Sequence, residues 1–162
     1  MAKGNEIIVS AGTYRGRLLE GPISGALKPG TIVQIDVSEG LDSNGNFTWQ
    51  AYDADADGGR PKGFLAVLLP DTLQGKTADT AYADGDHCFV YVPEPGDELN
   101  LLLADVAGTG DDHAFGEVLI PDAGTGKLIA TTGTPEIEPF MLLEAITDPT
   151  TDTLAHCLFS GY

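Results

Sequence analysis

Apolar residues in this chain come in short runs of four to seven, each closed by Gly, Pro, Asp or Asn, which is the punctuation of strands joined by tight turns. After the turn Lys28-Pro29-Gly30, the β-branched run Thr31 to Val37 predicts a half-buried strand. Phe47-Thr48-Trp49-Gln50-Ala51-Tyr52 alternates apolar or small with polar residues and pairs with it as a hairpin across Leu41 to Asn46. Gly63 to Leu69 is continuously apolar, too short for a typical helix, and reads as a strand buried on both faces at the centre of the core. Cys88 to Val92 is another strand, ended by Pro93 and Pro95. Leu99 to Val106 reads as strand, although Leu101 to Ala104 would also suit one helical turn. The clearest hairpin joins Glu117-Val118-Leu119-Ile120 to Lys127 to Thr132 through Asp122-Ala123-Gly124-Thr125-Gly126. Runs at 140–145 and 153–159 complete eight to ten strands, an all-β barrel or sandwich.

Composition agrees: 21 Gly and 10 Pro in 162 residues disfavour long helices, and 42% hydrophobic residues suffice for a core. The formal charge of −17 repels phosphate backbones, so nucleic acid is excluded as a partner, and no apolar run is long enough to span a membrane as a helix. The charge is uneven. Lys3, Arg15, Arg17 and Lys28 against Glu6 and Glu20 give residues 1–35 a balance of +2, leaving −19 for the rest. With Gly4, Gly12, Gly16, Gly21 and Gly25 and little core pattern, residues 1–27 read as an extended segment facing a different neighbour from the acidic body. Two cysteines make no disulfide framework, and free buried thiols are expected of Cys88 and Cys157 in a chain made in a reducing cytosol.

Motifs that carry chemistry mostly fail on spacing. Gly124-Thr125-Gly126-Lys127 mimics the end of a phosphate-binding loop, but Leu128 stands where a Ser or Thr should hold magnesium and Pro121 where the first Gly belongs. It reads as a hairpin turn. Asp53, Asp55 and Asp57, followed by Gly58, open like a calcium loop, yet Phe64 occupies the position of the bidentate Glu. They are the metal candidates of an alternative reading, a calcium-dependent carbohydrate- or surface-binding β module. His87-Cys88 and His156-Cys157 invite a zinc site, but neighbouring side chains on a strand point to opposite faces. His113 is expected in solvent. No catalytic constellation emerges, and no cofactor is expected.

The stretch from Asn46 to Val92 resembles the head-decoration (cement) proteins of lambda-like tailed phages: an alternating strand 47–52, the Asp/Gly loop 53–60, Pro61 to Leu68, a polar link, and the Gly-led strand 84–92. The second half resembles other cement proteins with small β-barrels, through the turn Asp122 to Leu128 and the late strand Phe140-Met141-Leu142-Leu143-Glu144. The resemblance implies a small, mainly antiparallel β-barrel or β-tulip with an extended N-terminal segment. It further implies a virion protein on the outer capsid surface that stabilises the expanded shell, as a homotrimer bound to the major capsid protein. On this reading residues 1–27 contact the capsid, with Lys3, Ile7, Ile8, Val9, Tyr14, Arg15 and Arg17 as contact residues. Residues 28–162 form one compact domain, a decoration-like core to about 105 and an added β region from about 106.

Overall fold

The computed structural model describes residues 6–9, 16–53, 65–104, 112–131, 140–147, 149 and 153–161. Ten strands fold into two closed five-stranded barrels. The first comprises β1 (Arg17–Ser24), β2 (Ile32–Ile35), β3 (Trp49–Ala51), β4 (Leu65–Leu68) and β5 (His87–Val92). The second comprises β6 (Glu98–Leu103), β7 (Val118–Pro121), β8 (Leu128–Ala130), β9 (Phe140–Leu142) and β10 (Thr153–Phe159). All-β architecture and the β2–β3 and β7–β8 hairpins follow the sequence pattern, and 99–103 is strand rather than helix.

Two differences concern the N-terminal region and the division of the chain. Residues 17–24, expected within an extended arm, form β1, which pairs antiparallel with β5 from Arg17↔Val92 to Pro22↔His87 and parallel with β3 at Ile23↔Trp49. The physical reason is period-two burial: Leu19 and Ile23 pack into the first barrel while Leu18 and Glu20 face out. The chain divides at residues 93–97, because Leu99, Leu101 and Leu103 on β6 fill the second barrel.

The two barrels repeat one topology. In each, the first strand runs parallel to the third (β1–β3, β6–β8), and every other pairing is antiparallel in the same cyclic order. Register matches residue for residue: Val33↔Ala51 and Ile35↔Trp49 correspond to Leu119↔Ala130 and Pro121↔Leu128. Turn bonds match as well. Gly30 N–H donates to the Leu68 carbonyl at 2.8 Å, and Gly116 N–H donates to the Leu142 carbonyl at 2.8 Å. Both glycines have positive φ, +88° and +84°. The interiors fill by exchange of volume: Gly21, Trp49 and Ala66 in the first barrel stand where Leu101, Leu128 and Phe140 stand in the second.

The barrels are joined along the outer faces of β2 and β4. All four residues of β4 are buried: Ala66 and Leu68 point into the first barrel, while Leu65 and Val67, with Ile32, Tyr52 and Tyr91, join one apolar cluster with Leu99, Leu101 and Phe140. Backbone groups cross the seam. Ile32 N–H donates to Gly126 (2.7 Å), Gly124 N–H to Tyr52 (2.7 Å) and Leu102 N–H to Gly30 (2.9 Å). The turn that mimics a phosphate loop is thus a clamp between barrels. Gly126 sits at φ +64°, and a Cβ there would lie 2.1 Å from the Ile32 carbonyl oxygen. One polar group is stranded at this face: Gln34 is fully buried and neither end of its amide has a hydrogen-bond partner.

Three expected outcomes follow from the seam. Gly126→Ala should cost about 2–4 kcal/mol in urea unfolding, from strained φ plus a backbone clash. Gly124→Ala, at φ +83° with open space around it, should cost only about 1–2 kcal/mol. Gln34→Met should raise stability by about 1 kcal/mol, since an apolar side chain removes two unmet buried polar atoms; an unchanged or lower urea midpoint would contradict that.

Candidate functional site

Among the described residues, the groups that sequence analysis weighed for chemistry do not converge. Cys88 lies inside the first barrel and Cys157 inside the second, both buried and neither in a disulfide, while His87 is exposed. Burial pushes the Cys88 thiol up to about 12, the reverse of an activated nucleophile. His156 faces away from Cys157, with Nε2 3.0 Å from Glu98 Oε2. His113, expected in solvent, is instead buried: Nδ1 lies 3.1 Å from Glu117 Oε2, and its backbone bridges to Ile146, so it pins a barrel turn. No group of three His, Cys, Asp or Glu side chains suited to a metal occurs among the described residues. Asp53 is exposed just after β3, and Asp55 and Asp57 lie outside the described residues.

Of the expected capsid-contact residues, Lys3, Tyr14 and Arg15 lie outside the described residues. Ile7 is 1% exposed and packs in the seam cluster, so it is core rather than a contact residue. Ile8 and Val9 are half-buried: Ile8 bridges to Leu99, Val9 N–H donates to Glu98, and Asn100 N–H donates to Ile7, which covers the free edge of β6. Arg17 is exposed at the start of β1.

A strip of exposed apolar side chains was not anticipated. It runs along the first barrel. Leu18 is 62% exposed on β1, and beside it lies a groove of about 360 Å³ lined by Leu18, Leu19, Glu20, Gly45, Asn46, Phe47 and Phe89. Leu41, also exposed, bridges to Phe47. Phe89 stacks edge-on to His87, whose carbonyl accepts from the Gln74 side chain. That bond ties in a 3-10 turn, Thr72–Gln74, with Leu73 at its tip 99% exposed.

Carboxylates hold these tips rigid. Asp42 Oδ1 accepts from the Asn44 and Asn46 N–H groups at 2.8 Å each, and these bonds, that of Asn46 foremost, draw its carboxyl below the ordinary range. Asp36 does the same for Ser38 and Glu39, with the Ser38 hydroxyl at 2.6 Å the largest cause of its lowered pKa. Asp71 caps the 3-10 turn through the N–H groups of Leu73 and Gln74, and Gly75 closes it at φ +70°. Signals for the strip exist in the sequence as single apolar residues beside polar turns and as the pair Leu18-Leu19, but single exposed apolar residues are ordinary, and only the fold brings Leu18 to Phe47.

A buried network ties the N-terminal side of β1 to the link between barrels. Tyr91 Oη donates to Asp97 Oδ2 at 2.7 Å and accepts from Gly16 N–H at 3.0 Å, while the same Asp97 oxygen accepts from Glu94 N–H. Burial, reinforced by the Asp97 carboxylate, pushes the phenol up to about 12.

No protein-family model matches this chain, and no curated protein matches it in sequence. Among solved structures, its fold is similar to the crystal structure of the head fiber gp8.5 N base of bacteriophage phi29. The TM-score is 0.54 at 11% identity, over 90% of this chain and 94% of that one.

The folded state favours neutral Tyr91 and neutral Cys88, so their stabilisation is complete below about pH 9 and is lost as pH rises toward 12. Melting temperature should fall progressively above about pH 9. Tyr91→Phe should be less stable at pH 7 and show a shallower decline between pH 10 and 12; thermal melts across that range check both.

Proposed function

We propose that this chain is a structural protein of a tailed-phage head, bound to the outer surface of the capsid, where it stabilises the expanded shell. The observation that carries this reading is the likeness in fold, over nearly the whole of both chains, to the base of a phage head fiber. The resemblance of residues 46–92 to cement proteins points the same way. So does the packing: His113, Asp36, Asp71 and Asp97 hold turns and the link between barrels. That use fits a structural rather than an enzymatic role.

On this reading the partner is the major capsid protein, and the contact includes Tyr14 and the basic N-terminal residues Lys3, Arg15 and Arg17. The acidic remainder faces outward, where its charge keeps particles dispersed. At −17 per subunit, free copies repel one another, so the homotrimer assembles on the shell. Each copy adds buried area across capsomer junctions, and high copy number multiplies a small interface into resistance to rupture.

The test is co-sedimentation of the intact chain with expanded and unexpanded phage heads that lack it. Deleting residues 1–27 would remove β1 from its barrel, so the contact is probed by reversing charge at Lys3, Arg15 and Arg17 to Glu. Expected are binding to expanded heads, at least tenfold weaker binding by the reversed variant, and a higher rupture temperature for decorated heads. An intact chain that stays in the supernatant with both shells would refute the proposal.

A further inference from the structure

The repeated barrel supplies an internal reference for what this fold requires. Between the paired residues Ile35 and Trp49 the first barrel has 13 residues, whereas between the matching Pro121 and Leu128 the second has six. Between Leu68 and Val90 it has 21, against 14 between Leu142 and Cys157. The second barrel closes without these additions. In the first barrel they carry exposed Leu41, Phe47 and Leu73, and they flank Leu18 on β1; in the second, the described residues expose one large apolar side chain, Phe115.

We propose that this strip of the first barrel, centred on the groove between Leu18, Phe47 and Phe89, is a docking surface for a protein of the phage head that presents an apolar side chain flanked by a basic one. The proposal rests on the head-protein reading and names the partner's chemistry at a defined face. Charge selects the occupant. Glu20 is the one ionisable residue lining the groove, and Asp42 holds the loop that forms its wall. A second copy would bring another −17 toward Glu20, whereas a basic-flanked apolar contact complements that carboxylate. The tips are ordered before binding by the Asp42 and Asp71 turns, so little conformational freedom is lost on contact.

The same undecorated heads serve as the probe. Leu18→Ser combined with Leu41→Ser should weaken binding of the full chain at least tenfold. Glu20→Lys, a surface change that leaves every apolar contact in place, should weaken it severalfold and flatten its dependence on salt. Phe115→Ser on the second barrel should stay within twofold of the intact chain. Circular dichroism melts establish that each variant is folded, and Glu20→Lys decides the matter if the double variant is not. Unchanged binding by folded strip variants, with the intact chain binding normally, overturns this inference and leaves the head-protein reading standing; no binding by the intact chain overturns both. Self-association of the intact chain in sedimentation velocity that the strip variants abolish would assign the face to a second copy and overturn the inference as well.

Discussion

A strand in a small barrel has two faces and only one inside, and the architecture follows from what covers the other. On β2 and β4 the outer face is apolar too apart from Gln34, so Ile32, Leu65 and Val67 leave water only when the second barrel is in place. That demand brings the turn at 122–127 against Ile32 and Tyr52, makes a side chain at Gly126 costly, and draws Ile7 into the cluster. Each barrel has its own hydrogen-bonded closure, yet the larger apolar cluster belongs to both. The fold is therefore a pair by necessity, and an isolated first barrel would present a wide apolar face.

Much of this was legible in the chain. Alternation and turn chemistry located nine strands, and the unbroken run around Leu65 to Leu68 correctly marked a strand buried twice over. β1 was hidden because Gly16, Gly21 and Gly25 marked this stretch as part of an extended segment. In the barrel, Gly21 is required, since a Cβ there would lie 2.0 Å from the Phe47 carbonyl oxygen. Pro22, which has no N–H to offer the ladder, is tolerated next to the strand's end. The repeat was also in the sequence: Gly30-Thr31-Ile32-Val33 reaching Asp36 parallels Gly116-Glu117-Val118-Leu119 reaching Asp122. Differing loop lengths shift the spacing from strand to strand, so no fixed period announces it.

The apolar strip illustrates what a linear pattern cannot convey. Leu41 and Phe47 each stand among polar or small neighbours and Leu18 beside Leu19, and the meeting of Leu18 with Phe47 depends on β1 lying between β5 and the chain that leads into β3. His113 failed for the opposite reason. Its acidic, Gly-rich surroundings predict solvent, but pairing with Ile146 turns it inward, where Glu117 meets its ring.

The path of the chain across the seam also sets how the molecule bears force. Residues 7–9 are bonded to β6 in the second barrel before the chain enters the first at β1, and it returns through 93–97, where Gly96 N–H holds Phe159 and the Phe159 N–H holds Asp97. A pull on one barrel against the other is thus taken by two anchored crossings together with the seam's cross-bonds, so tension divides among parallel tethers instead of unzipping them in turn. Such a two-point stitch behaves as a rivet: its yield is set by the combined strength of its attachments, well above that of any one hydrogen bond.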